Sequence, residues 1–100
     1  MGAQTPFADF QKSTAGAAPP PGLGGPLRAL WLDAAGRWDE AHAVAQAAGG
    51  KDGAWVHAYL HRKEGDEMNA GYWYARAGQP VATGTLAAEW EAIARTLLER

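Results

Sequence analysis

Residues 54–78 read AWVHAYLHRKEGDEMNAGYWYARAG. Small and apolar residues recur at three- and four-residue intervals on both sides of Gly65, and nowhere alternate with a period of two. That pattern predicts two helices and no strand. Gly65 has the backbone freedom to end the first helix, and Asp66 is a natural N-cap for a second running Glu67–Ala77, closed by Gly78. The same grammar extends outward. Asp52 is expected to cap the helix over Ala54–Glu64. Pro26 suits the first position of an earlier helix, because its missing N–H would be unsatisfied there anyway, and Gly36 stops that helix. Trp38–Ala48 follows, with Asp39 and Glu40 in the first turn, where the macrodipole favours acids, and Gly49–Gly50 at its end. Thr85 caps a last helix over Leu86–Leu98, in which Leu86, Trp90, Ile93 and Leu97 share one face. The expected fold class is all-α.

The chain has 100 residues, 9 Lys plus Arg against 11 Asp plus Glu, a formal charge of −2, and no cysteine. The balance argues against nucleic-acid binding, which needs clustered positive charge. Without cysteine there are no disulfides, thiolate metal sites or thiol nucleophiles. No apolar run approaches the ~20 residues that span a bilayer. Met1–Gln11 has neither the basic start nor the apolar centre of a secretory signal, so a cytoplasmic protein with no membrane partner is expected. Residues 1–25 include STAGAAPPPGLGG at 13–25 and carry only Asp9 and Lys12 as charges. Such a composition buries too little apolar area to offset its ordering entropy. The expectation is a disordered Pro/Gly-rich arm over 1–25 and a helical domain over 26–100.

Self-comparison finds a duplication. Ala29, Gly36, Ala41, Ala45 and Ala48 align with Ala58, Gly65, Ala70, Tyr74 and Ala77, each pair 29 residues apart. Each unit is a helix, a glycine turn and a second helix. Small residues at these positions let two antiparallel helices approach closely. The pattern resembles tetratricopeptide (Sel1-like) repeats, with Trp55, Ala58, Gly65, Ala70, Tyr74, Ala77 and Pro80 at the family's packing and turn positions. The resemblance implies two helix-turn-helix hairpins plus a C-terminal capping helix, with a period of 29 where the family has about 34. It further implies a small protein or peptide interaction module, monomeric or a C2 homodimer. Its face would come from the first helix of a unit, here Trp55, Tyr59, Arg62 and Lys63 beside Asp52, and would suit an acidic or C-terminal peptide. Residues 55–78 are also similar to a segment of short bacterial proteins, a resemblance that implies no activity.

The second functional reading is a metal or small-ligand site. His57 and His61 are i, i+4 neighbours on one helix face, Glu64 lies nearly one turn on, and His42 on the preceding helix is the remaining imidazole for a third ligand. Imidazole and carboxylate would suit a divalent ion such as zinc, nickel or copper. The competing structural reading makes the two histidines polar core residues bonded to Asp66, Asn69, Tyr72 or Tyr74. The five tryptophans, Trp31, Trp38, Trp55, Trp73 and Trp90, fall one to a helix and are expected to fill the core of an alanine-rich bundle. No hydrolase elbow, phosphate-binding loop, dinucleotide fingerprint or kinase signature is present, and the only serine, Ser13, lies in the arm. Neither an enzymatic activity nor a cofactor is therefore expected, a divalent metal being the alternative.

Overall fold

The structure is a computed structural model and describes residues 5–100. Its helices are α1 (Phe7–Ser13), α2 (Gly25–Ala34), α3 (Trp38–Ala48), α4 (Gly50–Lys63), α5 (Glu67–Ala77) and α6 (Leu86–Leu98), with no strand among the described residues. The two glycine turns are copies of each other. Gly36 and Gly65 sit at φ +83° and +89°, where a side chain would be strained. The following residue reaches back over each turn, Arg37 N–H to the Leu32 carbonyl and Asp66 N–H to that of His61, both at 2.9 Å. This is the six-to-one bond that satisfies orphan carbonyls at a helix end. Donor and acceptor in the second turn both lie 29 residues after their counterparts in the first. Asp66 accepts from the Asn69 amide at 3.2 Å and Thr85 from the Ala88 amide at 3.0 Å, so both expected caps form.

One helix start differs. α4 begins at Gly50, four residues before the expected Ala54, because Gly49 and Gly50 both sit at φ +66° and reverse the chain within two residues. Asp52 is consequently inside the first turn and pairs with Arg100 at 3.2 Å.

Pairing follows the repeat: α2 packs most extensively on α3, and α4 on α5. α4 also touches α2, α3 and α6, which makes it the central helix. Ala29, Ala41, Ala45, Ala58, Ala70 and Ala77 are buried and let backbones approach. α3 and α4 also cross closely at Gly53, where an added Cβ would stand 3.1 Å from the Ala45 carbonyl oxygen. Two buried carboxylates tie the helices laterally. Asp33 on α2 accepts from the Tyr59 hydroxyl at 3.2 Å and from Lys63 Nζ at 2.9 Å, both on α4. Glu89 on α6 accepts from Arg62 Nη1 at 2.9 Å and from the Tyr74 hydroxyl.

The N-terminal arm corrects the expectation of disorder. Phe7–Ser13 is helical and lies against α6; residues 1–4 of the expected arm fall outside the described residues. Phe10 is fully buried and stacks on Trp90 with ring centroids 5.7 Å apart, while Phe7 meets the same indole edge-on at 6.0 Å. Trp31 Nε1–H donates to Ser13 Oγ at 3.1 Å, and Arg95 lies over the Phe7 ring at 4.3 Å. Averaging composition over 25 residues hid two aromatic anchors placed three apart on one helical face. Phe10→Ala should cost about 2–3 kcal/mol. That is at the low end for a buried phenylalanine, because a peripheral helix can release instead of leaving a cavity. Urea unfolding followed by tryptophan fluorescence would measure it, and a cost below about 0.5 kcal/mol would mean that α1 is not docked in solution.

Candidate metal centre

The close α3–α4 crossing brings together all three histidines of the chain. His42 Nε2 and His57 Nε2 are 3.0 Å apart. The His61 ring lies 4.8 Å from that of His57 and 5.0 Å from that of His42, centroid to centroid. One ring nitrogen from each histidine falls within 4.8 Å of the others. His57 and His61 are 3 % and 7 % exposed, and His42 is half-buried at the mouth. Two indoles hold the cluster from opposite ends. Trp38 stacks on His42 at 5.0 Å and Trp73 on His57 at 4.0 Å, with interplanar angles of 10° and 16°. Trp38 is itself anchored by its indole N–H on the Leu60 carbonyl at 3.0 Å.

The electrostatics favour the neutral form of His57 and His42. Burial, then the neighbouring His42 and His61, push the His57 imidazole down to about 4. Burial and His61 lower that of His42 as well. Neutral imidazole is the form that ligates a metal. Glu64 Oε2 lies 2.7 Å from His61 Nδ1, so with that nitrogen carrying the proton, the Nε2 lone pair is left for a ligand. A carboxylate on the far nitrogen of a histidine orients the ring and raises its basicity.

A pH dependence follows for the metal-free protein. The unfolded chain protonates His57 near its ordinary value of 6.5, whereas the folded chain resists until about 4. Below 6.5 the unfolded state therefore binds more protons, and stability falls as pH falls. With solvent screening at the mouth, the loss between pH 7 and pH 4 should be about 1–2 kcal/mol from this group. Melting temperatures in a chelating buffer would show it, and His57→Gln should flatten that part of the profile.

The sequence-predicted site residues divide. His57, His61 and the third imidazole His42 come together as anticipated, but Glu64 stands behind His61 and not beside the other two rings. Of the polar partners expected for the histidines, Tyr74 turns to Glu89 and Asn69 to Asp66. The expected peptide-binding face does not form as an open surface. Tyr59 is 3 % exposed and bonded to Asp33, Arg62 is paired with Glu89, Lys63 is paired with Asp33, and Trp55 is half-buried in the core. The cause is the central position of α4, which turns Tyr59 and Trp55 toward its neighbours while Lys63 remains exposed. Trp38 and Trp73, expected only as core filling, instead wall the imidazoles.

Fold and site together define a small all-α protein with a buried three-imidazole cluster. Comparison with protein-family models, curated proteins and solved structures finds no significant match to this chain. Function is therefore argued from the site itself. Among the described residues no helix is long and apolar enough to cross a membrane.

Proposed function

We propose that this protein binds one divalent transition-metal ion, zinc being the first candidate, through His42, His57 and His61, with Glu64 orienting His61. The observation that carries the reading is the convergence of three ring nitrogens within 4.8 Å, two of them 3.0 Å apart. Two nitrogens bound to one tetrahedral zinc at 2.0–2.1 Å stand about 3.3 Å apart, so the His42–His57 pair is already at ligand spacing. Three imidazoles leave a fourth position open, as in sites where zinc holds water or substrate and acts as a Lewis acid. A purely structural role for the imidazoles has one feature in its favour, the His42–His57 contact, in which one ring donates and the other accepts. It does not require Glu64 on the outer nitrogen of His61.

The test is elemental analysis and native mass spectrometry of the tag-free chain after exposure to zinc and removal of the excess. One tightly held ion per chain is the expected result. A chain that retains no zinc, nickel, copper or iron leaves the cluster as polar core and ends the metal reading. Glu64→Gln should lower zinc affinity about 10- to 100-fold without loss of helicity, measured by competition with a chromophoric chelator. An unchanged affinity would remove Glu64 from the centre.

A further inference from the structure

A cavity of about 580 Å³ opens beside the imidazole cluster and shares His57 with it. Its wall runs from Gln46 through Gly49, Gly50 and Lys51 at the α3–α4 turn, and across to Trp73 and Arg76 on α5. The charge here is of one sign. Ion pairs occupy Arg37, Arg62, Lys63, Arg95 and Arg100, whereas Lys12, Arg28, Lys51 and Arg76 have no carboxylate within 4.0 Å among the described residues. Of these four, Lys51 and Arg76 line this cavity.

Arg76 is placed by its neighbours on α5. Arg76 donates to the Tyr72 hydroxyl at 3.3 Å, and its guanidinium carbon lies 5.7 Å from the centre of the Tyr72 ring and 5.5 Å from that of Trp73. That fixes the guanidinium and leaves its other donors available. Lys51 is exposed at the start of α4 and reaches toward Gly78, at the end of the helix that carries Arg76. The opposite wall is almost bare of side chains, because Gly49 and Gly50 must be glycine to make the left-handed turn. Two cations without carboxylate partners, one of them held by aromatic rings, together with a glycine turn and an indole make a recognition surface for a small oxyanion.

We infer that this cavity is the anion subsite of the proposed metal centre and takes a small carboxylate or phosphate compound held by Lys51 and Arg76. The inference rests on the metal reading for the ligand's second anchor, since a bound cation next to His57 adds positive potential to the same cavity. The first anchor is independent of any metal.

The full chain, zinc-free and zinc-loaded, would be titrated with inorganic phosphate and separately with acetate, following amide and indole resonances by NMR. Saturable shifts confined to Gly49, Gly50, Lys51, Trp73 and Arg76 are expected, and zinc should tighten binding at least threefold. Lys51→Glu and Arg76→Glu should each weaken binding tenfold or more while the zinc stoichiometry stays the same. Phosphate without acetate, or the reverse, would identify which oxyanion the subsite takes. Binding that does not saturate, that ignores both charge reversals, or that is the same with zinc bound overturns the inference. Failure of the metal reading shows separately, as absence of zinc from the protein before any anion is added.

Discussion

On the proposed metal reading, His42→Ala should abolish zinc binding and leave the fold standing. His42 is the one imidazole of the three that is only half-buried; its ring stacks on Trp38 and meets those of His57 and His61 edge-on. Truncation costs the Trp38 stacking and the His57 contact, about 1 kcal/mol in a folded protein worth ~5–15 kcal/mol. The metal loses a direct ligand, a larger change than disturbing an outer partner, which alone is worth about 10- to 100-fold. Zinc affinity should fall on the order of a hundredfold or more, by chelator competition, with the circular dichroism unchanged. The same substitution at His57 is a poorer probe, because it also removes the face on which Trp73 is stacked. Zinc held as tightly by the His42 variant would move the ion to His61, Glu64 and Asp66, whose ligand atoms are also within 4.8 Å of one another. Asp66→Asn would then be the variant that releases it.

Helices were legible because their signals are local. The glycines at 36, 65 and 78, the Asp66 and Thr85 side chains and the small-residue spacing each act within one or two turns. The 29-residue offset also survives into bond geometry, as the matching Arg37 and Asp66 amides demonstrate. The candidate site was half legible. An i, i+4 pair of histidines announces a shared face, but whether His42 joins them depends on how closely α3 and α4 cross. That distance is set by Gly53 against the Ala45 carbonyl, a fact of packing with no periodic signature. The misassigned surface has the same origin. Tyr59, Arg62 and Lys63 look like an aromatic and cationic face when α4 is read alone. Tyr59 becomes an interior residue, and Arg62 and Lys63 become ion-paired, once α2 supplies Asp33 and α6 supplies Glu89, residues 26 and 27 positions away from their partners Tyr59 and Arg62. The arm failed for the opposite reason. Its composition is dominated by proline and glycine, and the docking energy comes from Phe10 and Ser13 meeting Trp90 and Trp31.

Glu89→Ala should be the most destabilising single change outside the hydrophobic core. The Glu89 carboxylate is 8 % exposed and is the shared acceptor of two donors from two helices, Arg62 on α4 and Tyr74 on α5. Burial first, and the bond to Glu89 second, push the Tyr74 phenol well above its ordinary range, so it remains a donor at every accessible pH. Without Glu89 a hydroxyl on a residue 1 % exposed has no acceptor, and the Arg62 guanidinium keeps only the Gly84 carbonyl. Breaking a buried pair by removing one partner costs about 3–5 kcal/mol, because the other is left uncompensated. By contrast Glu91→Ala, which removes the exposed i, i+4 partner of Arg95, should cost about 0.3–0.5 kcal/mol. Urea unfolding of the metal-free variants would separate the two, and equal losses would mean that the Glu89 clamp is open in solution. Adding Tyr74→Phe to the Glu89 variant should recover part of the loss, since no hydroxyl is then left unpaired. Zinc links this experiment to the site. A ligand bound only by the folded state at a hundred times its Kd returns about 2.7 kcal/mol. The destabilised Glu89 variant should therefore regain roughly that amount with zinc, and the same variant lacking His42 should not.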